Sequence, residues 1–261
     1  MRRDRGQAMV EFAVVVMVLL LLILGTLQFA LIYHAKITLN YAAFETARAG
    51  AVNNARMWAM ELAFSRAMAP LYTTPYVVEQ GSECQSNFVL DSNRSTTIDF
   101  SLDNVKCARQ RVRDMIAGDL VRITLVNPSA ESFADFGYDN AGAETIPNDN
   151  LMYRSAEVKA MSGQSIQDAN LVKVHVGFCY ELIVPLVDQV IWRMIALAPN
   201  NLQPENFGPP RGGSFAEACV GANKANGEPR YGIPIYAQGL VRMQSDPILD
   251  TFCAGQCEDN S

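Results

Sequence analysis

Apolar residues are laid out along this chain in three ways, and each predicts a different element. From Phe12 to Tyr33 they run almost unbroken as FAVVVMVLLLLILGTL and onward past a single Gln28. About 20 such residues are what a helix needs to cross the hydrocarbon of a bilayer. Beyond the run they thin to a helical period, with Ile37, Tyr41 and Phe44 four and three residues apart and alanines at 42, 43, 47, 49 and 51 favouring helix between them. Gly50 and the pair Asn53–Asn54 then read as a stop. One long rod over residues 7–52 is predicted, half in lipid and half outside it.

The third layout is short segments of mixed period. Met57, Phe64 and Met68, with Trp58 and Leu62 beside them, predict a core-packing helix over 55–69 that halts before Pro70. A loop from Pro70 to Asn87 follows, with a short strand at Tyr76–Val78. IDFSL, residues 98–102, alternates and reads as a strand, and Asp103 or Asn104 then caps a helix that ends near Gly118. LVRITLV, Leu120–Val126, is a strand stopped by Asn127–Pro128. Residues 129–150 are acidic and weakly periodic, which predicts a long loop, and Tyr153–Met161 reads as a strand. The clearest strand is LVKVHVGFCY, Leu171–Tyr180, where valines alternate with Lys173 and His175. Pro185 opens a helix with Val187, Val190, Ile191, Met194 and Leu197 at helical spacing. Asp188 and Arg193 argue against a second membrane span there. Burial of this helix on the sheet is the expectation, against an interfacial helix touching the bilayer through Trp192. A Pro/Gly-rich loop and a closing strand, Ile233–Gln244, complete the order. The fold class is therefore α+β: a long N-terminal transmembrane and stalk helix, then a mixed helix–strand domain with an antiparallel sheet.

Charge changes the picture at the ends. The formal net charge is −6, yet Arg2, Arg3 and Arg5 stand against only Asp4 in the first five residues. An acidic bulk makes nucleic acid an unsuitable partner, because phosphate binding needs a basic face. Arginines beside an apolar segment stay on the cytoplasmic side, which puts the rest of the chain beyond the inner membrane. All six cysteines, Cys84, Cys107, Cys179, Cys219, Cys253 and Cys257, follow the apolar run. An even number in an oxidising compartment favours disulfides. Pairing of sequence neighbours, Cys84–Cys107, Cys179–Cys219 and Cys253–Cys257, is the expectation, and free buried thiols are the other reading.

Candidate chemistry is sparse. His34 and His175 are the two histidines and neither has a second at metal spacing, so no metal and no cofactor are expected. Asp135, Asp139 and Glu144 do not follow the EF-hand spacing and read as a solvated loop. Arg109, Arg111 and Arg113 read as a solvated helix face, with an anion patch as the alternative. There is no G-x-S-x-G, Walker A loop or G-x-G-x-x-G, and Cys253-x3-Cys257 lacks redox spacing. No enzyme is expected. The residue that asks for an explanation is Glu11, a carboxylate at the head of the apolar run. Such a group costs about 2.5–3.5 kcal/mol at mid-membrane on insertion scales, and less near the interface. Snorkelling, or pairing with Arg5, is the bland account.

The start is not an ordinary secretory signal, whose apolar core is about 7–15 residues and is followed by a small-residue cleavage site. RGQAMVEF ahead of the run resembles a type IV prepilin signal. Beyond it, GTLQF from Gly25 and NYAAFETARAGA up to Ala51 resemble the TadE-like pseudopilins of tight adherence (Tad/Flp) pilus systems. That resemblance implies cleavage by a prepilin peptidase between Gly6 and Gln7, with Gln7 as a commonly N-methylated new terminus. It implies that Glu11, fifth in the mature chain, pairs with the terminal amine of a neighbouring subunit. It implies a basic leader over 1–6, a transmembrane and stalk helix over 7–52, and an extracytoplasmic domain over 53–261. The partners would be the inner membrane, other pilins or pseudopilins and the pilus assembly platform. The departures are Phe12, where Flp-type pilins carry tyrosine after the glutamate, and an elaborated tail. An uncleaved single-pass anchor bearing a periplasmic binding or scaffold domain is the alternative.

Overall fold

The computed structural model describes residues 4–73, 97–140, 142–197, 215–223, 227 and 230–249. The predicted strand at 76–78 and Cys84, Cys253 and Cys257 lie outside them. Helix α1, Asp4–Val52, is a single element, and it ends where Asn54 and Ala55 both take φ 58° and reverse the chain. The chain then forms an α+β fold in which a long N-terminal apolar helix precedes a domain of helices and antiparallel strands. Its described residues fall into two compact units. One draws on residues 4–36, 179–197, 215–223, 227 and 230–235, the other on 37–73, 97–140, 142–178 and 236–249.

In the second unit the distal part of α1 buries mostly small residues. Leu39, Ala42, Ala43, Thr46, Ala47 and Ala51 are buried, while Ile37, Tyr41, Phe44 and Val52 remain exposed. Small side chains let another backbone come close, and Gly239 does so: a Cβ there would collide with the Ala43 carbonyl. Helix α2, Met57–Ala67, adds Met57, Met60 and Phe64 to the core, while Trp58 stays exposed. A short α3, Ala69–Tyr72, carries Pro70 in its first turn, so the chain stays helical through the proline. Helix α4 runs Thr97–Ala117. The strand expected at 98–102 is thus helical: alternation over five residues yields to a 21-residue helix whose Ala108, Val112 and Met115 form one buried face.

Strands β1, Val121–Asn127, and β4, Leu171–Glu181, pair antiparallel, with Ile123 opposite Val176 and Leu125 opposite Val174. With β5, Gly232–Arg242, they make a three-stranded sheet in the order β1-β4-β5. The loop expected over 129–150 contains structure. Ser129 caps α5, Ala130–Phe136, through a reciprocal bond with Ser132, and β2, Tyr138–Asn140, pairs with β3, Ala143–Thr145. Phe133 and Ile146 from this stretch share a small core with Leu151, Ile166 and Ala169. The strand expected at Tyr153–Met161 does not form; a 3-10 turn at Leu151–Tyr153 stands there, and Tyr153, Val158 and Met161 are exposed. A single turn, α6, Ile166–Ala169, leads into β4.

The first unit takes the end of β4, then α7, Val187–Ala196, then α8, Phe215–Gly221, and the start of β5. Helix α8 lies in what reads from sequence as a loop.

Candidate functional site

From Met9 to Ile23 every side chain of α1 is exposed, and the most apolar window has a mean hydropathy of 2.8 with none of it buried. At about 25 cal/mol per Å² of apolar surface, such a run in water is strongly unfavourable, so lipid or other helices must cover it. This one apolar N-terminal helix points to single-pass membrane anchoring. Glu11 stands exposed on this surface with no hydrogen bond or ion pair among the described residues. Gly6 and Gln7 lie on the same helix, one turn and a little more before Glu11.

From Met9 onward, Gln28 is the first fully buried residue of α1, at 0% exposure. Its Oε1 accepts from the backbone amides of Ile183, at 3.3 Å, and Val184, at 2.9 Å. A polar residue in an apolar span is costly unless it is bonded, and here it clasps the junction between β4 and α7. Sequence reasoning read Gln28 only as an interruption of the apolar run; the signal was that a lone amide inside a span needs a partner. Leu24, Gly25 and Ile32, half-buried, lie on the same stripe.

Beyond this clasp Cys179 and Cys219 form a disulfide across 40 residues, joining β4 to α8. Gly232 packs on it so closely that a Cβ would lie 2.7 Å from the Cys179 sulfur. Cys107 is also disulfide-bonded, and no described cysteine is free. Trp192 donates its indole N–H to the Val220 carbonyl at 3.2 Å and meets Tyr231 edge-on at 5.6 Å. It therefore fastens α7 to α8. The expectation of α7 buried on the sheet is corrected: Val187 is buried, whereas Val190, Met194 and Leu197 are exposed.

The remaining sequence candidates do not converge. His175 lies on β4 opposite Thr124 and is buried. Burial, reinforced by the Lys173 charge, pushes its imidazole down from 6.5 to about 4, against a hydrogen bond with Gln238 that acts the other way. The unfolded chain therefore binds the proton more readily below pH 6.5, so stability is full at neutral pH and falls as pH drops toward 4. The loss is on the order of 3 kcal/mol. Denaturant unfolding at pH 7 and pH 4.5 checks this: a His175→Gln chain is expected to lose less stability between the two than the parent. Asp135 accepts from the amide and hydroxyl of Ser162, both at 2.7 Å, and these bonds hold its carboxyl below the usual range. Asp139 accepts from the Gly142 amide at 2.8 Å. No group of three or more His, Cys, Asp or Glu positioned for a metal occurs among the described residues. Arg111 lies over the Tyr72 ring at 5.0 Å, Arg113 is exposed, and the half-buried Arg109 feels the charges of Arg66 and Arg113.

Comparison with known families places residues 6–48 on the TadE family model, described as TadE-like protein. The match covers about a sixth of the chain and lies wholly on α1. It meets the resemblance drawn from GQAMVEFA and the alanine-rich stretch, and it points to a component associated with the tight adherence pilus. No curated protein and no solved structure matches the chain.

Proposed function

We propose, from the TadE-like match over residues 6–48, that the chain is a minor pseudopilin of a tight adherence type IV pilus. It would prime or cap the fibre and so support surface attachment. The carrying observation is Glu11, unpartnered on a helix surface that nothing else in the described chain covers. In this reading a prepilin peptidase removes residues 1–6. The apolar helix holds the subunit in the inner membrane, N-terminus cytoplasmic by the arginines at 2, 3 and 5, with 53–261 in the periplasm. On extraction, the amine of a neighbour's Gln7 neutralises Glu11, which sets axial register as one buried polar group does in a helical bundle. The exposed Ile37, Tyr41 and Phe44 supply further helix surface for neighbouring subunits.

One observation favours the uncleaved anchor. The backbone is helical from Asp4, so the Gly6–Gln7 bond must unwind before a protease can take it. Glycine lowers that barrier, since it favours helix by roughly 1 kcal/mol less than alanine. Mass spectrometry of the N-terminal peptide from the membrane-extracted protein separates the two readings. A methylated Gln7 terminus is expected; a chain beginning at Met1 or Arg2, from cells that cleave their other prepilins, overturns the pseudopilin reading.

A further inference from the structure

Helix α7 is apolar on the wrong side for a helix in water. Its inner face places Val187, Ile191 and Ile195 toward the unit, with Trp192 bonded to Val220. Its outer face is apolar too: Leu186 is 59% exposed, Val190 54%, Met194 63% and Leu197 87%, and Ile183 just before it is 67% exposed. At about 100° per residue, Leu186, Val190, Met194 and Leu197 fall within an arc of about 80°. Gln189 and Arg193, both exposed, border that arc, and the acidic Asp188 lies on the opposite side. Leu186 takes φ 70° at the corner into the helix, an unfavourable backbone for a bulky residue, and the corner leaves its side chain outside.

The height of α7 on α1 is set by Gln28, which holds the amides of Ile183 and Val184. At about 1.5 Å per residue, Gln28 lies about 24 Å along α1 from Phe12. If Phe12 marks the inner edge of a hydrocarbon layer about 30 Å thick, Gln28 sits about 6 Å below its outer edge. Amphipathic helices that lie on membranes bury their apolar face about 5–10 Å into the headgroup and acyl boundary. The base of α7 is thus clamped to the spanning helix at the depth where an interfacial helix belongs. Its exposed stripe belongs to the same unit as the lipid-length surface of α1.

We propose that α7 is a second membrane contact: Ile183, Leu186, Val190, Met194 and Leu197 enter the outer leaflet of the bilayer that α1 crosses, and Arg193 reaches up to lipid phosphates. This rests on α1 being the membrane helix. Long basic side chains adopt that posture at an interface, stem in the apolar layer and charge in the headgroups. The occupant is lipid rather than a second copy of the chain because the stripe is held at the membrane boundary by a bond to the span itself. The consequence is that the subunit rests on the bilayer at two places, and its removal from the membrane must lift α7 as well as withdraw α1.

The test uses the full chain in phosphatidylcholine–phosphatidylglycerol vesicles, with an environment-sensitive fluorescent amino acid placed in turn at Leu20, Met194 and Tyr153. Brominated phosphatidylcholine is the quencher. Quenching is expected at Leu20 and at Met194 but not at Tyr153, and Val190→Glu with Leu197→Glu should reduce the Met194 signal to that of Tyr153. Both substituted positions are exposed, so the fold is spared. Quenching at Leu20 without quenching at Met194 overturns the proposal and leaves the α1 reading standing. Absence of quenching at both overturns the α1 reading and the proposal with it. A blue shift at Met194 that grows with protein-to-lipid ratio, without bromine quenching, assigns the stripe to a second copy and also overturns it.

Discussion

Replacing Glu11 with alanine is expected to leave the chain in the membrane at the parental level and to reduce its incorporation into pili to background. The two outcomes differ because they depend on different environments. In lipid the carboxylate is a burden of up to about 2.5–3.5 kcal/mol at mid-membrane, so the alanine helix inserts at least as well. In a packed bundle the same carboxylate has a use only if a cation answers it, and the described chain offers Glu11 none. In the proposed reading the answering group comes from outside the chain: the Gln7 amine that cleavage would create, in keeping with a TadE-like match that spans both Gly6 and Glu11. Removing the carboxylate leaves a neighbour's amine buried without a partner, and breaking one side of a buried pair costs about 3–5 kcal/mol. Glu11→Gln tests the charge itself: it keeps shape and hydrogen bonding and should still fall well short of the parent. The measurements are membrane fractionation for insertion and immunodetection in sheared pili for incorporation. Parental amounts of the alanine chain in the pilus fraction would remove Glu11 from the assembly mechanism.

What the residue pattern made legible was what lipid and the sheet demand over length. The run from Phe12 must be long to span a bilayer, and the valines at 172, 174 and 176 mark a strand that is then buried on both faces from Val174 to Tyr180. Helix ends at Asn53–Asn54 were legible because left-handed backbone falls to few residue types. Short segments were not. IDFSL alternates over five residues, but its own period is outvoted by the helix that continues behind it through Ala108 and Val112. The acidic stretch hides a capped helix because Ser129 and Ser132 cap one another, a pairing that replaces the usual glutamate of the capping box.

The distal stalk misleads for a different reason. Hydrophobicity ranks Ile37, Tyr41 and Phe44 above the alanines, so the large residues look like the stripe that faces the core. The core, however, selects for closeness: the alanine side is buried and the large residues are left outside. In the same way α7 has apolar residues on both sides, so its period shows a helix without showing which side is covered. Gln28 is a single amide whose meaning depends on residues about 155 positions away, and no local pattern carries that.

The tightest of these close approaches gives the second large prediction: Gly239→Ala should destabilise the second unit by about 3 kcal/mol, and Gly239→Val should prevent its folding. A Cβ at position 239 would overlap the Ala43 carbonyl oxygen, lie 2.8 Å from its carbon and press on Ala47 Cβ at 3.0 Å. Two of those atoms are helix backbone, and the surrounding Ala42, Ala43, Thr46 and Ala47 are fully buried, so α1 has nowhere to yield. Two glycines of α1 serve as controls. At Gly50 a Cβ would meet the Met60 sulfur at 2.9 Å, the far end of a flexible side chain, so Gly50→Ala should cost distinctly less. At Gly25 a Cβ meets nothing within 4 Å, and alanine there should be neutral or gain up to about 1 kcal/mol from helix propensity. Resistance to proteolysis and denaturant midpoints of the three alanine chains in detergent should therefore rank 239 below 50 below 25. A Gly239→Ala chain as stable as Gly25→Ala would mean that β5 does not press on the stalk helix, and that the buried alanine stripe must owe its burial to some other contact.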